Sequence, residues 1–298
     1  MTLTITMTTF SLPRCARSLA LALVTVGFAT TAFSQVTTPA QRGAKAAPPM
    51  AVAPVELARM GFISGAVEVQ RQGGAWTPAL ENDPLSSGDR VRTLKGSTAR
   101  LEFPWTAIAV GDESEVSLEK ARVLTVQLER GRIDIDPEQS LLRTVTAEAT
   151  ITGSGRTLVR REGTTTFVGS YNGGADVESN GAIVRLGVNK GTLVNASAAA
   201  SEAFTMAAPP KVISPAADPR YIHPGETLRL TWTGLDPVFH LEVLPIDSDV
   251  PVVSLDVATQ EYDLRLEWLG TFRWRVAGRN GPVESQPSGE GLICVVEK

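Results

Sequence analysis

The sequence predicts an all-β protein, and three observations carry that prediction. Apolar residues recur with a period of two through most of the chain, glycines punctuate these runs at short intervals, and helical signals are weak by comparison. Val67 and Val69 alternate with Glu68 and Gln70, and Ala99, Leu101 and Phe103 alternate with Arg100 and Glu102. The pattern returns at Leu124, Val126 and Leu128, at Ile133 and Ile135, and at Val145, Ala147, Ala149 and Ile151. Such runs want one face buried and one wet. Gly65, Gly88, Gly96, Gly111, Gly131, Gly153, Gly163, Gly173 and Gly181 fall mostly between them, where positive φ angles are often needed. Only Pro54 to Met60 and Pro137 to Leu142 offer a short helical turn.

The first 34 residues are expected to be a secretory signal peptide. Arg14 and Arg17 are the only charges before LALALVTVGFATTAF, which leads into Ala32-Phe33-Ser34 with small residues placed for cleavage near Ser34. The apolar stretch is shorter than the ~20 residues a spanning helix needs. The mature chain is therefore expected in the periplasm or outside the cell, not integral to a membrane. Cleavage would remove Cys15 and leave Cys294 as the sole thiol, which excludes an intramolecular disulfide and any cysteine-based zinc site. Within Leu292-Ile293-Cys294-Val295-Val296, Cys294 reads as a small core hydrophobe. A net charge of -4, with Lys and Arg scattered among acidic residues, gives no footprint for nucleic acid.

Composition marks the joints. Residues 35–55 form a Pro/Ala-rich leader with few large apolar side chains, expected to be disordered. Residues 56–196 form a first β module, 197–216 a linker centred on Pro209-Pro210, and 217–298 a second module.

In the first module, Gly65-Ala66-Val67-Glu68-Val69 is followed by Trp76 and by the corner Gly88-Asp89-Arg90-Val91-Arg92-Thr93. Next come the strand through Leu101 and Phe103, the turn Gly111-Asp112-Glu113-Ser114, and Leu128-Glu129-Arg130-Gly131. In this order the pieces resemble the FecR-like domain of bacterial envelope proteins, best over residues 61–136. The resemblance implies an all-β domain of short stacked strands, with Gly88, Asp89, Val91, Arg92, Thr93, Leu101, Phe103 and Gly131 as structural motif positions. At the corner, Asp89 is expected to accept backbone donors, Gly88 to make the turn, and Val91 to face inward while Arg90 and Arg92 point away. The family's prototype adds a cytoplasmic anti-sigma segment and a membrane helix, neither of which is read in this chain. What carries over is an exported β domain and an interaction role.

The second module alternates at Leu228, Leu230 and Trp232, at Phe239, Leu241 and Val243, and at Phe272, Trp274 and Val276, with turns at Asp236-Pro237, at Asp247 to Asp249 and at Asn280-Gly281. It resembles a fibronectin type III or immunoglobulin-like sandwich, with Trp232 and Trp274 as core anchors.

No catalytic constellation appears. The two histidines, His223 and His240, have no ligand partner in sequence, and no Gly-x-Ser-x-Gly elbow occurs. The acidic runs at Asp112 and Asp247 lack the spacing of a calcium loop and read as solvated turns. Arg130, Arg132, Arg160 and Arg161 read as strand-edge charges facing water. The expectation is a non-enzymatic exported adaptor or binding protein, without cofactor or metal, whose partner is another envelope protein or an envelope polymer. Two alternatives are a periplasmic sensing component of a FecR-type system and a glycan-binding protein using Trp76, Trp105 and Trp268.

Overall fold

A computed structural model describes residues 55–120, 122–136, 142–248 and 251–297. The expected signal peptide, the leader up to residue 54, and the helical turn at 137–142 except for Leu142 lie outside these residues, as does Asp249. Among the described residues the chain is all-β, and no helix is long and apolar enough to cross a membrane.

The first module opens with β1 (Glu56–Ser64), β2 (Val67–Gln70), β3 (Trp76–Pro78) and β4 (Pro84–Ser86). β5 (Arg90–Thr93), β6 (Thr98–Phe103), β7 (Thr106–Val110), β8 (Glu115–Lys120) and β9 (Leu124–Asp136) follow. Then come β10 (Arg143–Val145), β11 (Thr150–Gly153), β12 (Thr157–Glu162) and β13 (Thr165–Ser170). β14 (Ala175–Ser179), β15 (Ala182–Leu186), β16 (Lys190–Asn195) and β17 (Phe204–Thr205) complete it.

These strands form two sheets that share β9. One runs β4-β1-β6-β7-β9-β12-β13-β16-β17. The other runs β3-β2-β5-β8-β9-β10-β11-β14-β15. All pairs are antiparallel except β9 with β10. β9 changes sheets at Gly131, whose φ of +88° only glycine adopts freely. A Cβ there would also overlap Ser114. In place of the turn expected between two strands at this glycine, the backbone bends and continues as one strand. Inward residues of both sheets, among them Met60, Leu101, Ile108, Leu128, Ile133 and Val177, make one core.

Two expectations fail here for local reasons. Residues 56–60 form a strand rather than a helical turn, and a bulge between Glu56 and Ala58 puts Leu57 and Ala58 both inside, breaking the alternation that would have signalled it. Val145 to Ile151 is a hairpin, not one strand, because the Thr146 hydroxyl accepts the amides of Glu148 (3.3 Å) and Ala149 (3.0 Å).

The second module comprises β18 (Lys211–Ser214), β19 (Arg220–Ile222), β20 (Thr227–Thr233), β21 (Val238–Pro245) and β22 (Val253–Val257). β23 (Glu261–Arg265), β24 (Gly270–Asn280), β25 (Val283–Pro287) and β26 (Gly291–Val295) finish it. Its sheets are β18-β20-β23 and β19-β26-β24-β21-β22, with β25 on β24, and they enclose a sandwich core. Trp232 packs against Phe239 and Trp274 at centroid distances of 5.8 and 6.1 Å, and the Trp274 indole donates to the Pro215 carbonyl at 3.1 Å.

Parts of the stretch 197–216, expected as a linker, pair with the strands on either side of it. β17 pairs with β16, and Met206 is buried against Leu158 and Phe167, with Val283 of the second module packed on the same cluster. β18 pairs with β20. Phe204 and Met206 supply the apolar surface that draws the chain onto the sheet.

Candidate functional site

Three of the sequence pieces singled out above converge on one strand. Thr93, at the end of the Gly-Asp corner, donates its hydroxyl to the Gly111 carbonyl at 2.5 Å and accepts the Ser114 amide at 2.9 Å. The Ser114 hydroxyl in turn accepts the Arg132 amide at 2.8 Å, one residue beyond Gly131. The corner, the polar turn and the bend of β9 are thus tied together, and the product is a fixed backbone position for Arg132.

Within the corner, Gly88 has φ +88°. Asp89 is buried and accepts the Ser86 amide at 2.9 Å, the Gln72 amide at 3.2 Å and the Arg71 guanidinium at 2.9 Å. Val91, Leu101 and Phe103 enter the core. Arg92 bonds Glu68 at 2.5 Å and lies 4.3 Å over the Trp76 ring, with Arg90 at 5.8 Å.

Arg132 does not face water, nor does Arg160: they are 5% and 6% exposed. This corrects the strand-edge reading of both. The outward face of β9 and β12 is covered by the outward face of β21, β24 and β25, so alternation points these charges into an interface between the modules. Arg132 Nη1 donates to Glu242 Oε1 at 2.6 Å and Nη2 to Glu284 Oε1 at 3.2 Å; Nη2 is also 2.8 Å from Asp134. Arg160 Nη2 donates to Glu284 Oε2 at 2.8 Å. Arg275 Nε donates to the second oxygen of Glu242 at 2.6 Å. Arg279 bridges Glu162 of the first module and Asp256 of the second. At the other end of the joint, Ser64 and Thr98 donate to the Val252 and Pro251 carbonyls at 2.8 and 2.6 Å.

His240 sits at the centre of this cluster. Nδ1 is 2.9 Å from Asp256 Oδ1, and Nε2 is 3.0 Å from Arg132 Nη1, 3.2 Å from Ser254 Oγ and 3.6 Å from Glu242 Oε1. Donation from Nδ1–H to Asp256 leaves Nε2 to accept from Arg132. Burial and the Arg132 charge oppose a second proton, hydrogen bonds to Asp256 and Glu242 favour one, and the balance raises the imidazole pKa.

The carboxylates stay ionised. Burial disfavours their charge, but Arg132 and Arg160 hold Glu284 down to about 2. Arg275 and Arg132 keep Glu242 well below the usual range against the same burial, and hydrogen bonding to His240 does so for Asp256. Arg132 is buried too, yet Asp134, Glu284 and Glu242 raise its pKa further. Tyr171, 3.4 Å from Glu284, is pushed well above its ordinary value by burial and by that carboxylate.

A cleft of about 310 Å³ opens along this joint, its walls including Asp112, Glu113, Arg130, Arg161, His240 and Arg279. Among the described residues no group of three or more His, Cys, Asp or Glu is arranged to hold a metal ion. The buried charges of Arg132, Arg160, Glu242 and Glu284 pair with one another across the joint. The candidate glycan contacts are dispersed: Trp76 is on β3 beneath Arg92, Trp105 is in the β6–β7 turn at 47% exposure, and Trp268 precedes β24 at 58%.

The residues that sequence reasoning missed are Arg132, Arg160, His240, Glu242, Arg275 and Glu284 as an assembly. The available signal was opposite charge at outward positions of central strands in both modules.

No family model matches the chain, and no curated protein does. Among solved structures, the fold is similar to a candidate anti-sigma factor from Parabacteroides distasonis, with 17% identity and a TM-score of 0.33, over 39% of this chain and 57% of that chain. It is also similar to chicken CNTN1 FN1–FN3 domains, with 10% identity and a TM-score of 0.26 over 82% of this chain and 99% of that chain. Titin domains A168–A170 match at 12% identity and a TM-score of 0.23, over 75% of this chain and 86% of that one.

Proposed function

We propose that the protein is a non-enzymatic, exported envelope adaptor or binding protein in which a FecR-like module and an immunoglobulin-like module act as one rigid body. The buried ionic joint supports this reading most directly. Arg132 and Arg160 from one module meet Glu242 and Glu284 from the other with little exposure on either side. Such a cluster contributes little net stability over an apolar joint, but it penalises every other orientation, since a misplaced module leaves charges buried and unpaired. Fixed spacing between two binding surfaces is what an adaptor requires. Catalysis would need titratable groups held free toward a substrate, whereas Arg132, Glu242 and Glu284 are directed at one another.

The test uses the purified mature chain beside a Glu284→Ala variant in crosslinking capture from envelope fractions. A partner retained by the parent and lost by the variant fits an adaptor that works in one fixed orientation. Reproducible turnover of an envelope polymer, abolished by a point mutation, would sink the proposal. Export is checked separately: N-terminal sequencing of protein from the periplasmic fraction should begin at Gln35.

A further inference from the structure

We propose that the joint is an acid-released latch in which His240 takes up the proton that frees the two modules from their fixed orientation. This rests on the rigid-body reading above. The partners of His240 divide between the two modules. Asp256, Ser254 and Glu242 lie on β22 and β21, in the same module as the histidine, whereas Arg132 lies on β9, across the joint.

In the neutral imidazole, Nδ1–H donates to Asp256 and Nε2 accepts from Arg132 at 3.0 Å, so the cross-joint contact is a hydrogen bond. A proton on Nε2 places a donor against a donor and a cation against a cation. The protonated ring is served instead by Ser254 at 3.2 Å and Glu242 at 3.6 Å, both within its own module. Protonation therefore exchanges an attraction across the joint for attractions inside one module.

The other facing charges are of both signs: Arg160 adds to Arg132 in opposing the imidazolium, whereas Glu162 and Asp112 of the first module favour it. From the first module, Arg132 on β9 and Arg160 and Glu162 on β12 face the site, with Asp112 at the cleft wall. From the second, Glu242, Asp256, Arg279 and Glu284 surround the ring. Docking supplies burial and Arg132, the two largest influences that lower the imidazole pKa; the groups that raise it most, Asp256, Glu242 and Glu284, are present in the separated module as well.

Two linkages with different reference states must be kept apart. Relative to an unfolded chain, the raised pKa means that His240 stabilises the fold below the unfolded value, and this contribution is lost as pH rises through the folded value. Relative to the separated but folded module, docking lowers the pKa, so docking is favoured above that range and weakened as pH falls through it. Three of the joint's carboxylates do not interfere, because Glu284 is held at about 2 and Glu242 and Asp256 are likewise lowered, whereas burial raises Asp112 at the cleft wall. Each unit by which docking lowers the His240 pKa costs the docked state about tenfold in its equilibrium on acidification.

The experiment is energy transfer between dyes on the full chain at Glu119→Cys and Glu261→Cys, with Cys15 and Cys294 changed to Ser. Both label positions are exposed, one in each module. Between pH 8 and pH 5, transfer is expected to change from one fixed efficiency to a broad distribution, with the ratio of docked to undocked chains falling tenfold or more. His240→Gln should stay docked across that range. Asp256→Asn, which weakens the in-module support of the imidazolium, should move the midpoint to lower pH and decides the matter if the glutamine variant fails to fold. An unchanged efficiency in the parent, or an identical transition in a folded His240→Gln chain or in Asp256→Asn, overturns the proposal. No partner enters the measurement, so failure of the adaptor reading and failure of the latch are distinguishable.

Discussion

Removing the Glu284 carboxylate should be among the most damaging single changes in the second module. Its residue is fully buried, and its two oxygens hold Arg132 at 3.2 Å and Arg160 at 2.8 Å, both supplied by the first module. Glu284→Ala leaves two buried guanidiniums short of a counter-charge, a defect that typically costs about 3–5 kcal/mol. The electrostatics give a comparable figure. A carboxyl pKa held at about 2 rather than 4.5 corresponds to roughly 3 kcal/mol of stability at neutral pH. The assay is urea denaturation at pH 7, with the exposed Glu119→Ala as a control expected within about 0.5 kcal/mol of the parent. Because both lost contacts cross the joint, the variant should also unfold in two steps, the modules having lost their common transition. A loss below about 1 kcal/mol with a single unchanged transition would refute the reasoning, since it would mean that water reaches these charges.

Gly131→Ala should destabilise by about 2 kcal/mol or more, combining the cost of a positive φ with overlap on Ser114, and a neutral result in the same denaturation assay would contradict the bend of β9. Asp89→Ala strips an acceptor from the Ser86 and Gln72 amides and a charge from Arg71, and should cost about 1–3 kcal/mol by thermal unfolding. The depressed Glu284 pKa contributes stability that is complete above the unfolded value near 4.5 and is lost as pH falls toward about 2. Glu284→Gln should accordingly flatten that part of the acid limb in a melting-temperature series. Trp105→Ala and Trp268→Ala, at two exposed turn positions, should leave stability within about 0.5 kcal/mol. A glycan-array signal lost in either variant would revive the sugar-binding alternative.

Much of the fold is readable from period-two alternation alone, because each module is a pair of sheets with an apolar inside. The strands through Val67, Leu101, Leu230 and Phe239 occur where that pattern places them. Alternation fails where the backbone breaks its own period: the bulge after Glu56 hides β1, and the Thr146 hydroxyl folds what reads as one strand into a hairpin. The site was less legible for a different reason. Period two states which face of a strand points away from its own core, not what covers that face. Arg132 and Arg160 read as solvated until the second module is laid over them, and His240 reads as a stray polar residue between Phe239 and Leu241. Thr93, Ser114 and Gly131 stand out as turn chemistry in the sequence, but their convergence beneath Arg132 depends on pairing β8 with β9 across a register shift that no local pattern encodes.

Small-angle X-ray scattering of the full chain at pH 7.5 tests the central claim most directly, that the ionic joint makes two β modules one body. Residues 55–297 should scatter as a single particle with one intermodule geometry, and Glu284→Ala should shift the profile toward two separately moving modules. A parent profile that requires a range of module orientations would contradict it.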